Sequence, residues 1–373
     1  MRVLLTGGGT AGHINPALAI AEIIRRHDPE AVIEFVGIQT GKEADLVPRE
    51  GYRLHFVKSM GIRRSLSPAN FKAVWLAVRS PKAKETQKIL NELQPDLVIG
   101  TGGFASWPIM KAAADRNIPT AIHESNAIPG LTVKVLQKHV DRIWINFPET
   151  KANLRAKKKT VCVGNPLRAG FSGGSYEDAR RELGLQHGQK MLLSFGGSLG
   201  AEAVNRATLD LMESFTAKHP EIVHVHAAGK RGFESVKADF EKRGLSQYPN
   251  CRVVDYIYRM PLYMSAADVV IARAGAMTLS ELAQLKKACI LIPSPNVVDN
   301  HQYKNAKALA DRGAACLVEE KTLADNRLQT AVEELFASDA ARKTMQDAIC
   351  AFAAPDVEMR IWEEIQALLN QGN

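Results

Sequence analysis

The chain has 373 residues, 46% of them hydrophobic and 24% charged, enough to bury large cores and more than one ordinary domain needs, so two domains are expected. No apolar run approaches the ~20 residues of a membrane span, and Arg2 leads straight into a strand without a signal-peptide pattern, which makes a cytoplasmic protein the expectation. Cys162, Cys251, Cys289, Cys316 and Cys350 are widely spaced and never form a CxxC pair, so neither a disulfide framework nor a zinc site is indicated, while a formal charge of +8 points to an anionic partner.

Arg2 to Thr6 reads as a buried parallel strand that runs into Gly7-Gly8-Gly9-Thr10-Ala11-Gly12-His13 and then a helix from about Asn15 to Arg26, with Asn15 as cap and Pro16 at its first position. The GxGxxG at Gly7, Gly9 and Gly12 invites a dinucleotide reading. That reading needs an acid at the end of the second strand, whereas Val32 to Gly37 ends in Gly37-Ile38-Gln39 and its only acid, Glu34, is mid-strand. His13 sits on a glycine loop at a strand's C-terminal end, a position suited to acid–base work. Strands at Arg53 to Val57, Asp96 to Gly100, Pro119 to His123 and Arg142 to Ile145 alternate with helical stretches, the pattern of a doubly wound parallel sheet. Loops after two of them bring Thr101, His123, Glu124 and Asn126 towards the crevice that His13 faces.

Between Met60 and Lys88, Phe71, Val74, Trp75 and Val78 recur at the spacing of one helical face, after Ile62 and Leu66 in an irregular loop. Arg63, Arg64, Lys72, Arg79, Lys82, Lys84 and Lys88 surround them. Such a helix either packs on a core with a solvated basic rim or docks on anionic lipid, and the aromatic residues beside the cations favour the second.

A basic connection with Lys157, Lys158 and Lys159 leads through Val161 to Val163 to a domain boundary at Gly164, and Gly170 to Ser175 reads as a linker. The opening architecture then repeats: strand Lys190 to Phe195, glycine turn Gly196 to Gly200, helix Ala201 to Phe215. Further strands are expected at Ile222 to Ala227, Arg252 to Tyr256, Val269 to Ala272, Ile290 to Ile292 and Ala315 to Val318. After Ala272, Gly275 turns the chain and Ala276 opens a helix whose N–H groups and positive dipole end suit a diphosphate. Glu281, further along that helix, suits the hydroxyls of a ribose. Asp299, Asn300, His301 and Gln302 follow another strand end and are expected on the same side.

In order, GGGTAGHINPALA from Gly7, GTGGFAS from Gly100 with HESNAIPGLT from His123, GGSLGA from Gly196, and RAGAMTLSEL from Arg273 with DNHQYKNA from Asp299 resemble the MurG family. These are the peptidoglycan N-acetylglucosaminyltransferases that move GlcNAc from UDP-GlcNAc to lipid I, giving lipid II. The resemblance covers nearly the whole chain. It implies a GT-B fold, two facing Rossmann-like domains with an interdomain cleft: residues 1–163 plus about 352–373 as the acceptor and membrane-facing domain, and 164–351 as the UDP-GlcNAc domain. By the same resemblance Ala276, Met277 and Thr278, followed by Leu279 and Ser280, face the diphosphate, Glu281 holds the ribose, the Ile257 backbone reads uracil and Gln302 holds the sugar. Arg168 and Ser198 lie near the nucleotide, and Thr10, Ala11, Gly12, His13 and Asn126 wall the cleft. Ala11, Ser125 and Leu199 depart from the commonest pattern, and the methyl of Ala11 is tolerable only at negative φ.

The implied chemistry is inversion at the anomeric carbon, with no metal or other cofactor. His13 is the expected base and the Glu124 and His123 pair the alternative. The implied partners are UDP-GlcNAc, membrane-bound lipid I and anionic inner-leaflet lipids, without nucleic acid, at the cytoplasmic face of the bacterial cell membrane. The alternative reading is another GT-B UDP-sugar enzyme, a UDP-GlcNAc 2-epimerase or a soluble-acceptor glycosyltransferase, and acceptor dependence separates them. A nucleotide-binding module without transfer chemistry is the rival from a different class.

Overall fold

The computed structural model describes residues 1–61, 68–197, 199–297 and 300–371, without the side chains of 68–72, 74, 172, 173 and 371. The first half runs β1 (Arg2–Thr6), α1 (Ala11–His27), β2 (Val32–Gly37), α2 (Glu43–Arg49), β3 (Arg53–Phe56), α3 (Pro68–Arg79), α4 (Lys84–Leu93), β4 (Leu97–Gly100), α5 (Ser106–Asp115), β5 (Thr120–Glu124), α6 (Leu131–Leu136), β6 (Arg142–Ile145) and β7 (Thr160–Cys162). The second runs α7 (Gly170–Gly173), α8 (Tyr176–Glu182), β8 (Lys190–Phe195), α9 (Glu202–Ser214), β9 (Ile222–Ala227), α10 (Phe233–Lys242), β10 (Cys251–Val254), α11 (Met260–Ala266), β11 (Val269–Ala272) and α12 (Ala276–Gln284). It ends with β12 (Ala288–Leu291), α13 (His301–Ala310), β13 (Cys316–Leu317), α14 (Arg327–Ala337), α15 (Asp339–Ile349) and α16 (Val357–Gln371). Contacts divide the chain into two compact units, Met1–Arg168 with Ala354–Asn373, and Ala169–Ala353.

The first unit is built on a seven-stranded parallel sheet of order β3-β2-β1-β4-β5-β6-β7. Its central strands β1 and β4 are buried on both faces because helices cover both, and the strand order reverses direction between them. Ile14, Ala17, Leu18, Ala21 and Ile24 form one buried stripe of α1 at helical spacing, and Ala19, Ile20 and Ile23 are buried beside it. The C-terminal helix α16 returns to this unit: Ile361, Ile365 and Leu368 share a core with Ile20 and Ile24. The Arg26 guanidinium donates to both Glu358 oxygens at 2.9 and 2.6 Å, and Trp144 Nε1 donates to Glu364 at 3.2 Å.

Helix α1 begins at Ala11 rather than near Asn15. Thr10 takes the cap position in extended conformation, φ −138° and ψ 155°, and its carbonyl accepts from the His13 and Ile14 N–H groups at 3.0 and 3.2 Å. Pro16 therefore lies inside the helix, leaving the Gly12 carbonyl without its helical donor.

The second unit repeats the plan with six parallel strands in the order β10-β9-β8-β11-β12-β13, reversing between β8 and β11. Gly170 to Ser175 is not a free linker: α7 folds within this unit with Phe171 buried, and glycine at 170 lets the backbone approach Pro261, where a Cβ would sit at 2.9 Å. A polar chain crosses the sheet. Ser194 Oγ meets His224 Nε2 and His226 Nδ1, each at 2.8 Å, and Asn205 joins His226 Nε2 (3.1 Å) to the Ala228 carbonyl (3.0 Å). Among the described residues no helix is long and apolar enough to cross a membrane.

Candidate functional site

Four glycine turns occupy the C-terminal ends of β1, β4, β8 and β11, the strands that flank the two points where strand order reverses. An open parallel sheet leaves its ligand crevice at such points, because neighbouring connections depart to opposite faces.

In the first unit the turns after β1 and β4 interlock. Gly103, at φ +78°, passes so close to Gly8 that a Cβ would lie 2.2 Å from the Gly8 carbonyl oxygen. Gly102, at φ +98°, would place a Cβ 2.8 Å from His13 Cδ2. Both positions require glycine on two counts, conformation and space. His13 is partly exposed at the start of α1: its Nδ1 meets Thr10 Oγ1 at 3.2 Å, and its carbonyl accepts from Thr101 Oγ1 at 2.6 Å. Desolvation pushes the imidazole pKa down, while the Glu124 charge, the Gly8 carbonyl and the Glu43 charge pull it back up. The ring is therefore neutral at physiological pH and able to accept a proton. Ala11 is helical, outside the positive-φ set, so its methyl is accommodated; Gly12 is exposed.

Glu124 and His123 do not form a pair. Adjacent residues on β5 point to opposite faces. The Glu124 carboxylate is buried and accepts three N–H bonds, from Asn126 N (2.9 Å), Asn126 Nδ2 (3.0 Å) and Gly130 N (2.7 Å), which moulds the loop after β5. His123 is fully buried, with Nε2 3.0 Å from the Gly164 carbonyl, and desolvation lowers its pKa to about 4. Asn126 is held by Glu124 and, through its carbonyl, by Thr150 Oγ1 at 3.1 Å. Arg168 closes the first unit: it binds Glu22 by an ion pair and reaches Glu50 at 2.6 Å, and desolvation is outweighed by these carboxylates, which keep its pKa above the usual value.

In the second unit Gly275 caps α12 at φ −72° and ψ 143°, an ordinary conformation, and a Cβ there would meet nothing within 4 Å. The fold itself does not demand glycine at this position. What the missing side chain leaves is space beside the turn into α12. Leu279 is withdrawn from that space: its side chain is buried and its N–H donates to the Gly275 carbonyl at 3.0 Å. Ser280 is half-buried one residue on. The Glu281 carbonyl accepts from Leu285 N at 3.1 Å, but its buried carboxyl makes no hydrogen bond or ion pair with a described residue, and desolvation raises its pKa to about 8.

The Arg273 guanidinium donates to the Ile292 and Pro293 carbonyls (both 3.1 Å) and pairs with Glu320 at 2.5 Å, tying the turn to the next strand end. Gln302 Oε1 accepts from Ser294 N at 2.9 Å. The Ile257 side chain is buried while its backbone N–H and carbonyl bond to no described residue; on either side Tyr256 and Tyr258 meet edge to face at 4.9 Å with Lys230 near both rings. Leu199 is exposed. Ser198 and Asp299 lie outside the described residues, and among the described residues no three His, Cys, Asp or Glu side chains form a metal-holding group.

On α3, Trp75 and Val78 are 56% and 72% exposed, and the Arg79 guanidinium stacks on the Trp75 ring at 4.4 Å. Ile62, Leu66 and the side chains of Phe71 and Val74 lie outside the described residues.

Two residues escaped the sequence reading: Glu43, buried beneath the first turn, and Lys230, which links the two tyrosines beside Ile257. Gly37 and Gly41, close in sequence to Glu43, were the available signal for the first.

The N-terminal domain of glycosyltransferase family 28 matches residues 3–145, and its C-terminal domain matches residues 191–361. A relative from Acetivibrio thermocellus, named UDP-N-acetylglucosamine--N-acetylmuramyl-(pentapeptide) pyrophosphoryl-undecaprenol N-acetylglucosamine transferase, is 38% identical over 99% of this chain and 98% of its own length. The chain belongs to the MurG family. A crystal structure of Acinetobacter baumannii MurG has a TM-score of 0.69 at 26% identity, covering 98% of this chain and 99% of that one. A UDP-GlcNAc 2-epimerase from Neisseria meningitidis, solved bound to UDP-GlcNAc, has a TM-score of 0.65 over 98% and 100% of the two chains, but at 13% identity that likeness is one of fold alone. The two parallel-sheet units are those of the GT-B class.

Proposed function

We propose that this chain transfers GlcNAc from UDP-GlcNAc to the 4-hydroxyl of MurNAc in lipid I, forming lipid II with inversion at the anomeric carbon. The observation that carries this reading is end-to-end similarity to a transferase of that name, with the glycine turns after β1, β4, β8 and β11 at the two sheet reversals. The second unit holds the donor. The first turn of α12 lies against the diphosphate and offsets the charge that grows on it as the C1–O bond breaks. The buried, unpartnered carboxyl of Glu281 accepts the ribose hydroxyls, the unbonded edge of Ile257 reads uracil, and Gln302 holds the sugar. The first unit acts on the acceptor: neutral His13, steadied by Thr10 and Thr101, takes the 4-hydroxyl proton as its oxygen attacks C1 and UDP departs with the electron pair.

The acceptor is reached at the cytoplasmic leaflet, where the chain sits as a peripheral protein. Exposed Trp75 and Val78 with Arg79, Lys82, Lys84 and Lys88 support α3 as the contact with anionic lipid. Leu131 and Val135 on α6 are exposed too, and Trp107 links the regions, donating to the Ala77 carbonyl at 2.6 Å and meeting His139 edge-on.

The test supplies labelled UDP-GlcNAc with a lipid I analogue and follows label and UDP together. Label moves to the acceptor in step with UDP release. Consumption of UDP-GlcNAc without acceptor would instead identify an epimerase, and binding without turnover a nucleotide module. His13→Ala is expected to cut kcat by about 10²-fold or more with donor binding unchanged; near-normal turnover removes His13 from its role.

A further inference from the structure

We propose that Glu43 is a positioning residue of the transfer reaction: its buried carboxylate fills the anion seat of the first glycine turn and fixes the turn that leads into α1, where His13 lies. The inference rests on the reading of His13 as base. Glu43 opens α2 and folds its side chain back beneath the turn after β1, where Oε2 accepts the Gly9 N–H and Oε1 the Ile38 N–H, each at 3.0 Å. Room for it comes from three glycines. A Cβ at Gly8, Gly37 or Gly41 would lie 2.4, 2.3 or 2.2 Å from a Glu43 side-chain atom.

A fold with this strand–turn–helix opening offers its turn N–H groups to a ligand phosphate. Here the chain supplies the anion itself, so the Gly9 N–H is already engaged before any substrate arrives. The carboxylate also lacks an ordinary counterion: it is buried, yet among the described residues no Lys or Arg forms an ion pair with it. Leaving a buried carboxylate unpaired is costly, which argues against simple packing as its purpose. The cationic group that its charge favours is the protonated His13 ring, together with Glu124 from the end of β5 and the Gly8 carbonyl on the loop itself. Glu43 thus acts twice on His13, through the backbone it pins and through its charge.

In the full-length protein, Glu43→Gln removes the charge and sets an amide N–H against one of the two backbone donors. By histidine-edited NMR, with the His13 signal assigned by its loss in His13→Ala, His13 is expected to titrate roughly half a unit to one unit lower than in the parent. The acid limb of the kcat profile moves with it, kcat falls about tenfold or more, and KM for UDP-GlcNAc stays within about twofold. Gly41→Ala pushes a methyl into the carboxylate without removing the charge, and should also move the His13 titration and lower kcat. It carries the same readouts if Glu43→Gln does not fold. An unchanged His13 titration in a folded variant, or loss of the fold in both variants, overturns the proposal. Failure of the His13 reading looks different: His13→Ala then keeps its turnover while Glu43→Gln still lowers the His13 titration.

Discussion

The proposed ribose contact rests on Glu281, a buried carboxyl without a hydrogen bond or ion pair to a described residue. Burial pushes its carboxyl up to about 8, so in the empty protein it is protonated at neutral pH. Ribose hydroxyls donate, and two of them together call for the carboxylate. Binding therefore lowers the pKa and expels a proton in the window between the lowered, bound-state pKa and about 8. UDP affinity is expected to strengthen as pH rises from 6.5 towards 8.5 and then level off, with calorimetry in buffers of different ionisation enthalpy reporting the released proton. Glu281→Gln keeps the volume, weakens UDP binding by about tenfold or more, and flattens the pH dependence. A wild-type affinity indifferent to pH would sink the ribose assignment. The place of Glu281 in the helix after β11 was legible in the sequence because it follows a strand and a glycine at helical spacing. Glu43 was not, because it lies past an aperiodic turn and reaches its partners by folding back across the chain. His123 misled for another reason: its place beside Glu124 suggested partnership, whereas alternation along β5 separates them.

At the scale of elements, α3 and β9 make opposite use of polarity. Helix α3 turns Trp75 and Val78 outward beside Arg79, so replacing both apolar residues by serine removes no core. The double variant is expected to stay folded, to lose binding to anionic vesicles, and to slow on a long-chain acceptor while keeping UDP-GlcNAc affinity and transfer to a short-chain one. Equal loss on both acceptors would return α3 to a structural role. Wild-type vesicle binding should weaken as salt rises. Strand β9 instead buries His224 and His226 around Ser194 in neutral form, with desolvation holding His226 at about 4 and His224 well below its ordinary value. Their folded pKa values lie below the unfolded value of about 6.5. They cost nothing above that pH. As pH falls below it the unfolded chain takes up protons that the folded chain refuses, and the penalty for His226 grows to about 3 kcal/mol by pH 4. Urea midpoints should therefore fall between pH 7.5 and 5, and an unchanged midpoint would show that the network opens to admit the proton.

For the whole molecule, the duplicated strand–glycine turn–helix pattern made both sheets legible, since each turn follows an apolar run buried on two sides. At the edges the bounds differ: β13 keeps two residues of the strand expected at Ala315 to Val318, β7 has three, and α7 occupies a stretch whose composition argued for a linker. The chemistry assigned to the molecule uses a helix end rather than an ion to receive the leaving charge, so turnover is expected to survive EDTA; chelator-sensitive transfer, restored by a divalent cation, would require a different account of UDP departure.

The return of α16 to the first unit also sets an order of assembly on the ribosome. The second unit is one uninterrupted stretch, Ala169–Ala353, and can close once that stretch has been translated. The first unit, although made earlier, waits for Ile361, Ile365 and Leu368 before the core around Ile20 and Ile24 is complete. Through most of translation its apolar seam stays open to chaperones and proteases. A premature stop just after Ala353 would accordingly spare the half synthesised last and cripple the half synthesised first.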